Sequence, residues 1–263
     1  MTTNVCDCVH NSINIFVGQS SPIEFYLPKD PLKWTDPQSF CLHGKGKIAK
    51  RVGNEYQDIH NNASLTGIGP SNNFWSTCFE SMVFKINDLE VGEISNNPYS
   101  SYIQTLLSMR ESVEDTLLKA RLFIKDTAGI MDVSSGGQQP VANSGWVERK
   151  DMFKNREWLD FQIPLNNDLM SSSTYFPPNT KITITLRRSS DAFCLMQDTS
   201  DDAQYRVELT GLYLTHTKYE VKKEITSQYN QQLRAKAIPH FDFCQNSIKT
   251  YTVLRVCIIY RVL

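Results

Sequence analysis

The sequence predicts a mainly β protein, an antiparallel sandwich interrupted by short helical insertions, and three observations carry that prediction. Apolar and polar residues alternate at period two in several stretches, the pattern of strands with one buried and one solvated face. Turn residues and long connections separate these stretches in place of regular helical crossovers, which disfavours a parallel βαβ sheet. The 263 residues are 40% hydrophobic, 11% aromatic and 21% charged. That is enough apolar material for a sizeable core, and it lies outside the composition of disordered chains.

In chain order, Ile13–Val17 and Gln38–Lys50 are the weaker strand candidates, and Ser81–Ile86 is a clear one with Met82, Phe84 and Ile86 inward. Tyr99, Tyr102, Ile103, Leu106 and Leu107 recur at helical spacing after Pro98, so a helix is expected to Met109, its apolar face packed on an end of the sandwich. A second helix is expected from Ser112, with Asp115 as its capping-box partner, through Leu117, Leu118 and Leu122. Asp126–Gly145, with Ser134–Gly137 and Pro140, has no hydrophobic period and reads as a long surface loop.

Trp158–Leu165, Lys181–Arg187 and Tyr205–His216 follow as strands, the middle one placing Ile182, Ile184 and Leu186 on one face. Asn87–Asp88, Pro177–Asn179 and Ser200–Asp202 are the expected turns. Ile225, Tyr229, Leu233 and Ala237 recur every four residues and predict a short helix ending before Pro239. Ser247–Leu263 reads as one more strand with an apolar tail, Val256–Tyr260. The expected organisation is therefore a disordered tail over 1–12, a main domain over 13–220 with a helical insertion at about 98–124 and a loop at 126–145, a helical linker over 221–246, and a final segment, 247–263.

Charge and cysteine content exclude several classes. With 27 basic and 28 acidic residues the net charge is −1, so no drive toward phosphate backbones or anionic membranes exists, and no specific nucleic-acid partner is expected. Met1–Val9 has neither a basic nor an apolar leader pattern, and no apolar run approaches the roughly 18 residues of a membrane span, so neither secretion nor membrane insertion is expected. Cys6, Cys8, Cys41, Cys78, Cys194, Cys244 and Cys257 are an odd, scattered set and read as reduced thiols. The sequon Asn62–Ser64 has little meaning without a secretory route.

Chemical motifs are sparse. Gly44-Lys-Gly-Lys47 lacks the spacing of a phosphate loop and sits in a predicted strand, where it reads as a solvated basic edge. Neither a G-x-S-x-G elbow nor an H-E-x-x-H helix is present. Cys6, Cys8 and His10 are the best metal candidates, but without a fourth ligand nearby they read as part of an untethered tail. His43, His60, His216 and His240 are far apart in sequence. Asp198, Asp201 and Asp202 match no cation loop and read as a polar turn, and Phe74, Trp75, Phe79 and Phe84 read as core filling before a sugar-stacking platform. Trp34, Trp146 and Trp158 carry no pattern. The expectation is no catalytic, cofactor-binding or metal residue, and no cofactor.

Six stretches carry a resemblance: Pro22–Pro28, Gly69–Phe74, Val83–Val91, Asn97–Leu107, Leu122–Gly129 and Arg187–Leu195. In order and spacing, across roughly residues 15 to 250, the chain resembles the major capsid proteins of Polinton (Maverick) and adintovirus type. That resemblance implies a jelly-roll sandwich that is the first half of a double jelly roll, homotrimeric capsomers and an icosahedral shell. It also implies penton and minor capsid proteins as partners, a place in the virion, and assembly in the host cytoplasm or nucleus. The paired helices and the 126–145 loop would then supply trimer or capsomer contacts. The second jelly roll is expected to begin around Ile248–Val253, and Arg255–Leu263 departs from the family's continuation, which would leave a truncated copy with an exposed, aggregation-prone end. The alternatives are a jelly-roll module binding carbohydrate or another ligand, and, further off, a glycosidase using two carboxylates.

Overall fold

The computed structural model describes residues 4–5, 22–58, 67–108, 117–134, 143–154, 157–165, 169–198, 201–235 and 248. Its strands are β1 Asn4–Val5, β2 Ile23–Leu27, β3 Lys33–Thr35, β4 Cys41–Val52, β5 Glu55–Asp58, β6 Ile68–Pro70, β7 Phe79–Ile86, β8 Leu89–Ile94, β9 Leu159–Pro164, β10 Ile182–Arg188, β11 Leu195–Gln197, β12 Tyr205–Thr215 and β13 Lys218–Glu220. Its helices are α1 Phe74–Thr77, α2 Asn97–Ser108, α3 Ser144–Phe153, α4 Asp191–Cys194 and α5 Lys223–Arg234.

Two antiparallel sheets share one core. The first runs β2–β10–β7–β8, and the second places β12 on one side of β4 with β9 and β5 on the other. Strands distant in sequence lie side by side, the mark of a jelly-roll-type sandwich and not of a simple meander. Ile23, Phe25, Ile182, Ile184, Met82 and Phe84 from the first sheet meet Leu42, Ile48, Phe161, Ile163, Val207 and Leu214 from the second in a single buried cluster. Each such side chain removed from water stabilises the slab by about 1.5–3 kcal/mol. A small sheet, β1–β13–β3, and a pair, β11–β6, complete the pairing.

The clear period-two stretches form the strands they predict, and Asn87–Asp88 makes the β7–β8 turn with both residues at positive φ, 49° and 69°. β12 departs from simple alternation. Its register slips between Thr210 and Tyr213 around Gly211, at φ 59°. The slip resets the faces, so Val207 and Leu209 before it and Leu212 and Leu214 after it all point into the core.

Three differences from the sequence reading have physical causes. β4 is a central strand, not a basic edge: it is paired along both sides, and Gly44 and Gly46 sit in it because the core crowds it. A Cβ on Gly46 would lie 2.5 Å from the Trp75 ring, and one on Gly44 would lie 2.5 Å from Leu212. α2 forms where expected, but its apolar face points away from the sandwich: Tyr99, Ile103, Leu106 and Leu107 are exposed while Asn97, Ser101 and Thr105 are buried. α3 lies where no element was anticipated, because its buried side consists of Gly145, Trp146, Arg149 and Phe153, of which only two are apolar in character.

Ile13–Val17, the start of the second helix at Ser112–Asp115, the tail carrying Cys6, Cys8 and His10, and 249–263 lie outside the described residues. So do Asn62–Ser64, His60, His240, Cys244 and residues 135–142 of the expected loop.

Candidate functional site

A dense polar network stands at one end of the slab, around α1. Asn73, held at φ 57°, turns the chain from β6 into α1, and its N–H donates to the Leu122 carbonyl at 3.0 Å. Asparagine suits this left-handed position because its short polar side chain tolerates it. The amide of Asn72 then reads the passing segment 122–126 like a short strand. Its Oδ1 accepts from Ile124 N–H at 3.0 Å, and its Nδ2 donates to Ile124 O at 2.8 Å and to Asp126 Oδ2 at 3.1 Å.

α3 closes the same segment from the other side. Arg149 is fully buried and donates to Pro70 O, Ile124 O and Asp126 Oδ1 at 3.2, 2.8 and 2.8 Å. Burial pulls its pKa down and the Asp126 carboxylate opposes that, so the pair is held together by mutual need in a dry site. Asn143 caps α3 through Trp146 N–H and also donates to Asp126 Oδ1 at 2.9 Å and Met131 O at 3.2 Å. Gly145 is required here, since a Cβ would overlap the Lys125 carbonyl.

Two further segments reach the same end. Asn97 donates from Nδ2 to Ser76 O and Phe79 O at 3.1 and 2.9 Å, tying α2 to α1 and β7. Cys194, buried in α4, donates its thiol to Thr77 O at 3.6 Å, and Ser189 N–H donates to Cys78 O at 3.0 Å. Cys78 beside Cys194, together with burial, raises the Cys194 thiol far above its usual value, so it stays protonated at neutral pH. Cys41, Cys78 and Cys194 are free thiols among the described residues.

The residues singled out in the sequence scatter elsewhere. Phe74, Trp75, Phe79 and Phe84 are buried to 0–1% exposure, with Trp75 stacked on Phe161 at 4.5 Å, so they fill the core and offer no open stacking face. Asp201 accepts from Tyr205 Oη at 2.6 Å and from Ala203 N–H at 3.0 Å, with the tyrosine as the main cause of its lowered pKa. Asp198 belongs to the same turn, and Asp202 is exposed. No group of three or more metal-ligating side chains occurs among the described residues.

His43 stacks on Tyr213 at 4.7 Å with its Nε2 2.8 Å from Thr215 Oγ1, on the outer face of the second sheet, while buried His216 stacks on Phe40. Lys47, from the glycine–lysine run, bridges Asp58 at 2.5 Å and Glu208 at 3.3 Å and lies over Trp158. Trp34 packs edge-on against Tyr229 of α5. Sequence reasoning missed Asn72, Asp126, Asn143 and Arg149. The one available signal was Asn143 before Ser-Gly-Trp, a helix cap inside a supposed loop.

No protein-family model matches the chain, and no curated protein matches it. Among solved structures the chain is similar to viral capsid proteins. These include PBCV-1 VP54 as fitted into a reconstruction of the virophage Sputnik, at 8% identity and a TM-score of 0.43 over 88% of this chain and 46% of that one. They also include the mavirus major capsid protein, at 12% and 0.41 over 85% and 47%. The Faustovirus major capsid protein stands at 10% and 0.46 over 87% and 55%. The chain thus spans about half the length of these proteins, and its two-sheet architecture rests on its own strand pairings.

Proposed function

We infer that the chain is a structural subunit of a viral shell, a major capsid protein of the Polinton (Maverick) or adintovirus type, and not an enzyme. One observation carries this reading. Four of the six stretches that resemble the family, spread from Gly69 to Leu195 in sequence, meet in space around α1. Gly69–Phe74 leads into α1, Leu122–Gly129 is read by Asn72, Asn97–Leu107 is tied to α1 and β7 by Asn97, and Arg187–Leu195 returns to it through Ser189 and Cys194. Pro22–Pro28 and Val83–Val91 supply β2 and the β7–β8 hairpin on either side of β10.

The remaining properties suit a tile. Two packed sheets make a rigid slab, and a net charge of −1 permits dense packing of identical copies. In this reading the first jelly roll occupies the described slab, a second is supplied by the whole protein, and homotrimers form the capsomers of an icosahedral virion assembled in the host cell. Penton and minor capsid proteins are its partners. The insertion between β8 and β9, with the 126–145 loop, supplies contacts between neighbours, the role that long connections on rigid scaffolds commonly take.

Sedimentation velocity over a concentration series, with electron microscopy of the same samples, tests the reading. Discrete self-association is expected, altered when residues 135–142 are deleted, a cut that spares Asn143 and its cap of α3. A monomer at every concentration that captures a defined oligosaccharide on a glycan array would instead establish the ligand-binding module.

A further inference from the structure

Two of the free thiols meet at the α1 junction. Cys78 caps the C-terminus of α1 and leads into β7, and Cys194 closes α4, so the sequence sets them far apart and the fold brings them together. Both are wholly buried. The pairing of β10 with β7 continues one step past Arg188 and Phe79, where Ser189 N–H donates to Cys78 O at 3.0 Å, and the chain then turns through α4 back onto α1. Cys194 Sγ comes to rest 3.6 Å from Thr77 O, the carbonyl of the peptide that joins Thr77 to Cys78, with its thiol in hydrogen-bond contact with that of Cys78. A single buried cysteine is commonly no more than a small apolar side chain. Two thiols in contact, carried by separate elements, are the starting arrangement of a cross-link.

The same burial makes the pair inert while α4 is closed. The thiolate is the form that attacks a disulfide, and Cys194 is held as the thiol. α4 is the element built to open. It has four residues, of which Cys194 alone is buried, and its N-cap Ser190 makes no side-chain cap bond. Its outer residue Phe193 is 40% exposed, and Asp191 ties it to β12 by accepting from Val207 N–H at 3.0 Å. Short elements with few buried side chains open locally at a small fraction of the global cost.

We propose that Cys78 and Cys194 form a reversible disulfide within the chain, with a low-molecular-weight disulfide such as oxidised glutathione as the oxidant and opening of α4 as the point of entry. Cys194 loses its proton to solvent and attacks one sulfur of the small disulfide, expelling a small thiolate that takes up a proton. The Cys78 thiol then loses its proton and attacks the Cys194 sulfur of that mixed disulfide as α4 closes, expelling the second small thiolate, which is protonated in turn. One protein disulfide has formed, and its two electrons leave in two molecules of reduced small thiol. The bond closes a loop that contains β7 to β10 with α2 and α3. Closing so long a loop removes much of the freedom of the unfolded chain. The oxidised chain is thereby fastened at the α1 junction, and the reduced chain is not. This holds whether or not the chain assembles into a shell, because the bond is within one molecule.

The unaltered full chain supplies the test. It is equilibrated under native conditions in a graded series of reduced and oxidised glutathione, quenched with an alkylating reagent and mapped by peptide mass spectrometry. The expected product is a peptide pair joined through Cys78 and Cys194, formed at a rate independent of protein concentration and reversed by dithiothreitol. Oxidation should also raise the urea midpoint and slow the exchange of the Phe193 and Cys194 amides, which donate to Ser190 O, several-fold. Cys78 and Cys194 still free at the most oxidising ratio, or either one held in a mixed disulfide or bonded to another cysteine, overturns the proposal. A 78–194 bond that leaves the midpoint and the exchange unchanged overturns the fastening. Cys41→Ser protein, in which the pair is intact, should keep both responses; their loss there would assign them to a different thiol and overturn the fastening as well.

Discussion

Arg149 donates to Asp126 across 2.8 Å from a guanidinium with no solvent-exposed surface, and the two residues come from segments that the sequence gives no reason to join. The cation also satisfies the carbonyls of Pro70 and Ile124, so one planar fork serves β6, the 122–127 segment and α3 together. Arg149→Met leaves Asp126 buried without its cation and takes one donor from each of the Pro70 and Ile124 carbonyls. It should lower stability by about 3–5 kcal/mol, read as a fall in the urea midpoint. Arg149→Lys should recover little of that, since a single ammonium cannot reproduce three bonds set out around a plane.

Gly46 tests the packing of the two sheets. Gly46→Ala should cost about 1–3 kcal/mol by overpacking, because the new methyl group meets the Trp75 ring, which is itself wedged against Phe161. Gly92→Ala in β8 is the matched control: a Cβ there meets nothing within 4 Å, and its effect should stay within about 0.5 kcal/mol. Equal losses from both would show that the change acts through strand backbone and not through the core.

The legible part of this fold is the part written at short range. Ile182, Ile184 and Leu186 alternate with polar residues because one face of β10 is core, and Asn87–Asp88 marks a tight turn because both residues tolerate positive φ. The junction was illegible for the opposite reason. Asn72, Asp126, Asn143 and Arg149 are polar residues that become interior only when four distant segments meet, and local polarity reads them as loop and surface. α2 misled in the same way: periodicity found the helix and its apolar side, but Asn73 and the α1 carbonyls decided which side turned inward. The lysines of β4 looked like an edge because the acids that neutralise Lys47 lie on β5 and β12.

The alternation in β10 makes a clean pair of substitutions. Ile184 is wholly buried between Phe25 and Phe84 of the neighbouring strands, its partners in register. Ile184→Ala should cost about 2–5 kcal/mol. Thr185→Ala, one residue on and facing the other way, should change stability by no more than about 0.5 kcal/mol. Comparable costs in chemical denaturation would mean that both faces of this sheet are packed.

Titration offers a last test, through Tyr205 and Asp201. Burial and the neighbouring Asp201 carboxylate raise the Tyr205 phenol above its ordinary value, while the Tyr205 hydroxyl holds Asp201 low. A raised tyrosine contributes stability in full below its unfolded pKa of about 10 and loses it as pH climbs toward the folded value; a lowered aspartate contributes above about 3.9 and loses it as pH falls. Lys47 behaves as the tyrosine does: burial alone would lower it, but Asp58 and Glu208 hold it above its usual value, which adds to the alkaline loss. Stability should therefore be flat through the neutral range and decline above about pH 10. Tyr205→Phe should be less stable than the parent at pH 7, where its phenol donates to an ionised Asp201, and the gap should close toward both ends of the range as either partner titrates. A gap of constant size at every pH, measured by urea denaturation, would show that the hydroxyl acts through packing and that its bond to Asp201 contributes nothing to stability.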